Sequence, residues 1–142
     1  GNVLVTAEGQ VRLLDFGTPL DAVHTQRIMG TRAAGSTRIG AALRHATRCL
    51  LAEPVGPRAI VLITDGAPSD IDVFDARYLT DDARAAVLAA RRLGVQCHGL
   101  VVDPGADAYV RRIFGWRNYR VAETAAQLPR QLGELYDRLA AR

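Results

Sequence analysis

The chain has no lysine; all 18 of its basic residues are arginine. That uniformity points to a base-composition bias in the coding DNA rather than a surface selected for nucleic acid. The arginines are also scattered, and the pairs at 91–92 and 111–112 sit among acidic neighbours, so a net charge of +3 gives no phosphate-binding stripe. Long apolar runs are missing as well. AIVLI at 59–63 and GLVV at 99–102 fall far short of the roughly 18 residues that cross a bilayer, which excludes a spanning helix. No charged-then-apolar leader opens the sequence, so the expected location is the cytoplasm, although a start on Gly rather than Met fits a chain cut from a longer one. Cysteine is scarce. Cys49 and Cys97 show no CxxC or Cys/His spacing, which excludes a zinc site and leaves two reduced core thiols as the expectation. A Gly-x-Ser-x-Gly elbow is absent, and His24, His45 and His98 share no ligand spacing, so each is read as a surface or packing residue.

What is present suits one core: 142 residues, 49% of them hydrophobic, with Pro and Gly placed singly as punctuation. Residues 2–14 read as two short strands around an Ala-Glu-Gly-Gln turn, and residues 20–30 as a weakly patterned helix. Ile39, Ala42, Leu43, Ala46, Cys49 and Leu50 follow helical spacing, with Ser36 or Thr37 as the cap and Pro54 as the stop. Residues 59–64 are continuous and β-branched, the pattern of a central strand covered on both faces. A helix is expected from Thr80 to Gly94, a buried strand over 95–103, a short helix near 106–114 and a small strand over 119–122. The last helix places Leu128, Leu132, Leu135 and Leu139 on one stripe; Thr124 and Gln127 could form its capping box, or Pro129 could mark its start. Phe114 and Trp116 flank Gly115 and are read as core packing rather than a partner-facing patch.

Strands alternating with helices predict an α/β fold, doubly wound, with a mostly parallel sheet and helices on both faces. Ligands of such sheets bind at the carboxyl ends of strands. VLITDGAPSDID, residues 61–72, puts Asp65 just past one such end and adds Asp70 and Asp72 in the same loop. GSTR at 35–38 offers the Ser36 and Thr37 hydroxyls ahead of a helix. Oxygen ligands of this kind suit a hard cation such as Mg²⁺, which takes one or two carboxylates, hydroxyls and waters. The competing reading is that Asp65 starts a turn and Thr37 caps a helix.

At these residues the sequence resembles the von Willebrand factor type A (VWA) domain, whose metal-ion-dependent adhesion site combines a DxSxS loop, a separate Thr and a later Asp. GSTRIGAALRHAT would supply the Thr as Thr37 and VLITDGAPSDID the Asp as Asp65. The likeness extends over about residues 18–142, through ARYLTDDARAAVLAARRLGV, a strand ending in Asp103, YVRRIFGWRNYRVAE and LPRQLGELYDRL. The pattern is similar to one subgroup, the C-terminal domains of the nitric-oxide-reductase activation protein NorD and the rubisco activation protein CbbO. The resemblance implies Mg²⁺, or Mn²⁺, held by Thr37 and Asp65, with Ser36, Asp70 and Asp72 as further candidates. It implies a partner-binding rather than catalytic role beside a MoxR-type AAA+ ATPase and a target metalloenzyme.

The sequence departs from the family in one respect: DxSxS is absent, which weakens the expected ion binding and implies that the first central strand is missing. A chain cut after that motif is expected in preference to a degenerate site. Residues 1–17 carry a second resemblance. GNVLVTAEGQVRLLDFG is similar to the protein-kinase run from the catalytic-loop Asn to the DFG motif, with Asn2 and Asp15 as the matching pair. HRD, the Gly-rich loop, the strand lysine and APE do not accompany it, so phosphoryl transfer is not expected. The segment reads as either an edge hairpin or an unrelated junction. A kinase remnant or a Mg²⁺-dependent enzyme using Asp65 is the alternative function, and a metal-free structural domain is a third.

Overall fold

The computed structural model describes residues 3–5, 11–13, 22–30, 36–54 and 56–140. The chain divides into two units, Gly1–Ser36 and Thr37–Arg142. In the first, β1 (Val3–Val5) pairs antiparallel with β2 (Val11–Leu13) as a two-stranded sheet, followed by α1 (Ala22–Met29). The two strands expected over 2–14 are therefore present, while their turn, Asn2 and Asp15 lie outside the described residues. The same holds for the side chain of His24.

The second unit is the α/β layer structure. Its order is α2 (Ile39–Ala52), β3 (Arg58–Thr64), α3 (Ala76–Arg92), β4 (Val95–Val101), α4 (Asp107–Phe114), β5 (Tyr119–Val121) and α5 (Leu128–Ala140). The three strands form a parallel sheet in the order β3-β4-β5. Arg58 stands opposite Val95 and Thr64 opposite Val101; Gly99 stands opposite Tyr119. Parallel strands need a crossover element between them, and α3 and α4 are those crossovers.

Alternation along β4 shows how the layers divide. Val95, Cys97 and Val101 join the cluster built with Ile39 and Leu43 of α2, Ala83, Ala86, Val87 and Ala90 of α3, and Val110, Ile113 and Phe114 of α4. His98 and Leu100 take the opposite face, where α5 contributes Leu135 beside His98. Only Gly fits at position 99, because a Cβ there would meet the Phe114 ring at 2.8 Å. Both cysteines are free thiols; Cys97 is buried in the core and Cys49 half-buried against His45 at 3.4 Å.

Three boundaries and faces differ from the sequence reading, and at α5 the second of its two readings holds. The helix expected from Thr80 begins at Ala76, because the Asp75 carboxylate accepts from the Arg77 and Tyr78 backbone N–H groups at 2.9 and 3.2 Å and caps the first turn. Thr80 sits inside it, its hydroxyl donating back to the Ala76 carbonyl. The α2 N-cap position falls on Arg38 and has no side-chain cap, so neither Ser36 nor Thr37 serves there. At α5 the Gln127 side chain accepts from Glu123 N rather than from Thr124, and a 3-10 turn (Ala125–Gln127) leads into the helix, with Pro129 in its first turn. Finally, β3 is not central among the described strands. It pairs with β4 alone and leaves Ile63 50% exposed, while α5 lies against β4.

Candidate functional site

The site grows out of the carboxyl ends of β3 and β4. Thr64 closes β3, and its hydroxyl donates to the Gly66 carbonyl at 3.0 Å while accepting from Gly66 N at 3.4 Å. This local turn places Asp65 on the surface, exposed. Val102 N donates to the Thr64 carbonyl at 2.9 Å, carrying the β3–β4 pairing one step into the loops. After β4, the Asp103 carboxylate accepts from Gly105 N at 2.9 Å and from the Tyr109 hydroxyl at 3.3 Å. Burial pushes the Tyr109 hydroxyl up to about 12, and the charges of Asp103 and then Asp65 reinforce the shift. Asp65, Asp103 and Tyr109 therefore share one electrostatic neighbourhood.

Thr37 reaches this edge through its backbone. Ser69 N donates to the Thr37 carbonyl at 3.2 Å, and Thr37 N donates to Ser69 Oγ at 3.4 Å, so the segment before α2 is laced to the loop after β3. The next residue strengthens the tie. Arg38 binds Asp70 through Nε at 2.5 Å and Nη2 at 2.9 Å, and Asp72 through Nη2 at 3.2 Å. The Asp70 side chain is only 4% exposed and also accepts from Asp72 N at 3.1 Å. Hydrogen bonding to Asp70, with its charge, holds the Arg38 guanidinium above its ordinary pKa. A planar guanidinium spanning two carboxylates fixes direction as well as charge.

The sequence-derived candidates thus separate by role. Among the described residues, no hydrogen bond or ion pair engages the Asp65 carboxylate or the Thr37 hydroxyl, and both residues are exposed. Asp70 and Asp72 instead shape the loop through Arg38. Ser36 is half-buried and closes the other unit of the chain. The donor chemistry of Thr37 and Asp65 fits a hard cation in kind, and the edge carries the carboxylates of Asp65 and Asp103 besides the two that Arg38 engages. Among the described residues no group of three or more His, Cys, Asp or Glu is close enough to hold a metal, so an ion here would draw on one carboxylate, a hydroxyl and water. Arg38, Ser69 and Tyr109 were not anticipated as site residues. Arg38 stood in the GSTR motif without a role, since its partners lie more than thirty positions later.

Among the described residues no helix is long and apolar enough to cross a membrane. A family profile described as von Willebrand factor type A domain matches residues 10–137. Protein NorD of Brucella melitensis is 35% identical over 126 residues, covering 89% of this chain and 20% of that protein. An uncharacterized protein of Pseudomonas aeruginosa is 36% identical over 127 residues, covering 89% of this chain and 21% of its own length. Protein NorD of Stutzerimonas stutzeri is 33% identical over 121 residues. The chain spans about a fifth of the length of these relatives. No solved structure matches it.

Proposed function

We propose, from the premise that this chain belongs to the von Willebrand factor type A domain family, that it is a cation-dependent protein-binding module and not an enzyme. The observation that carries the proposal is that two exposed residues with unengaged side-chain oxygens, Thr37 and Asp65, lie in segments tied together by the Thr37–Ser69 backbone bonds and the Arg38 ion pairs to Asp70 and Asp72. Thr37 and Asp65 would hold Mg²⁺ or Mn²⁺. When bound, the ion would offer a positive centre to an Asp or Glu carboxylate of another protein, an attraction that strengthens as the contact excludes water.

The chain's own residues do the positioning. Arg38 engages Asp70 and Asp72, which would leave Asp65 as the acidic ligand. Ser69 fixes the Thr37 backbone, and Asp103, held by Gly105 N and the Tyr109 hydroxyl after β4, adds negative charge to the same sheet edge. The relatives named NorD support a finer reading. The chain would be the corresponding domain of a NorD- or CbbO-like activation protein, acting in the cytoplasm beside a MoxR-type AAA+ ATPase on a metalloenzyme of the nitric oxide reductase or rubisco type. The ATPase would supply work and this domain recognition.

The test is Mn²⁺ binding followed by paramagnetic resonance on the chain and on Asp65→Ala. Loss of the free Mn²⁺ signal on adding the chain, with affinity at least about tenfold weaker in Asp65→Ala, is the expected result. Equal binding by the two proteins would refute the assignment.

A further inference from the structure

Far along the helical layer, a groove of about 570 Å³ runs between α3 and α4. Arg84, Leu88 and Arg91 line it from one face of α3, and Arg111, Arg112 and Trp116 from α4 and the turn after it. Its walls are built. Arg112 binds Asp81 through two nitrogens at 2.7 and 2.9 Å, which clamps α4 to α3. Arg91 donates to the Phe114 carbonyl at 2.6 Å, closing the far end. Arg111 lies over the Trp116 ring, 4.8 Å from its centroid, and pairs with Asp107 at 3.7 Å. The lining thus carries four guanidiniums, two of them paired with the Asp81 and Asp107 carboxylates outside it, and Arg84 has no ion pair among the described residues.

The apolar content is as unusual as the charge. Trp116 is 78% exposed and Leu88 42%, side by side with the arginines. Trp and Arg gathered in a concave patch are the residue types that dominate binding energy at protein interfaces. The volume is that of a cleft for a few side chains, too short to track a nucleic-acid strand.

We propose that the α3–α4 groove is a second, metal-independent docking site that takes an acidic peptide segment of a partner protein. Carboxylates of the segment pair with Arg84 and Arg91, and an aliphatic or aromatic side chain packs on Leu88 and Trp116. The groove is separate from the cation edge, because both helices run from the carboxyl edge of the sheet toward its amino edge and the groove is lined chiefly by their later turns.

Trp116 is the single tryptophan of the chain, so its fluorescence reports this groove alone. The experiment titrates the chain, in EDTA, with a twelve-residue peptide of Glu and Asp carrying two leucines four positions apart. A saturable emission change is expected that weakens at least about tenfold in Arg84→Glu and more mildly in Arg84→Gln, persists in Asp65→Ala, and fades as salt is raised. Circular dichroism of the Arg84 variants, whose side chain is exposed, should match the parent. Absence of a saturable change, equal binding of a peptide with Lys in place of the acids, unaltered binding by Arg84→Glu, or tighter binding of a single-stranded RNA of equal charge would overturn the proposal. Because the titration contains no divalent ion, its outcome is independent of the Mn²⁺ result at Asp65.

Discussion

Replacing Gly99 by Ala adds one methyl group to the middle of β4, at the seam where the sheet meets α4. The new carbon would lie 2.8 Å from Cε2, 2.9 Å from Cδ2 and 3.3 Å from Cζ of Phe114. Carbon pairs prefer about 3.5–4.0 Å, so roughly 0.7 Å must be found. Neither side yields easily. Phe114 is 1% exposed, and its carbonyl is held by Arg91 at 2.6 Å and by the Asn118 side chain at 3.1 Å. Gly99 is pinned by strands on both sides, its N–H donating to the Asn118 carbonyl at 2.9 Å. Overpacking of this kind costs about 1–3 kcal/mol, offset by about 0.5–1 kcal/mol of glycine entropy removed from the unfolded chain, for a net loss of about 1–2 kcal/mol. At about 4 °C per kcal/mol for a domain of this size, Tm should fall by about 4–8 °C. Urea unfolding followed by far-ultraviolet circular dichroism measures the free-energy loss and thermal unfolding the Tm shift, with the double variant Gly99→Ala/Phe114→Leu as control. The double variant should be more stable than the two single losses added together. A midpoint for Gly99→Ala equal to or above that of the parent, or strict additivity with Phe114→Leu, would refute the steric reasoning.

Three further outcomes are expected. Asp75→Ala removes the side chain that caps α3 and should lower unfolding stability by about 1 kcal/mol, read from the denaturant midpoint, whereas Asp75→Asn should retain most of it. Arg38→Gln unfastens Asp70 and Asp72, so the amides of Ser69 and Asp72 should exchange with solvent about tenfold faster while those of β4 do not change. Alkali should destabilise the fold in a defined window. Burial raises Cys97 to about 11, and burial followed by the Asp103 charge raises Tyr109 to about 12. Both groups are held neutral in the folded state, so their contribution is complete below about pH 9 and is lost as pH climbs toward 12. Urea midpoints at pH 7 and pH 11 test this, and a midpoint that does not fall on the alkaline side contradicts it.

Much of the architecture was legible because it rests on local pattern. The apolar spacing of Ile39 and Leu43, the β-branched run at 59–64 and the glycine stop at 94 each follow from short-range rules, and the sheet topology follows from their alternation. The start of α3 was hidden for a local reason too. Four aspartates lie between 65 and 75, and only the backbone donors of Arg77 and Tyr78 distinguish Asp75 as the cap. The exposed face and edge position of β3 among the described strands were not readable, because a strand's neighbours are set by tertiary arrangement and not by its own composition. The site divides in the same way. Asp65 and Thr37 were marked by position next to elements, whereas the engagement of Asp70 and Asp72 depends on an arginine more than thirty residues earlier. Trp116 was read as core because aromatic residues usually are; its exposure follows from the turn at Gly115, whose φ of 79° directs the chain out of α4.

The one-sided pairing of β3 also governs how the protein reaches its native state. Its only bonded neighbour among the described strands is β4, and the two meet only after α3 has closed the chain from position 58 to position 95. Non-local parallel pairing of this kind is slow, and until it is complete the edge of β3 that meets β4 stands open. A seven-residue strand whose sequence is RAIVLIT is then a template for another copy of itself. Yield on refolding should therefore depend on concentration more steeply than stability does. Dilution should recover protein that added stabilisers cannot, because the competition is decided before the native sheet exists.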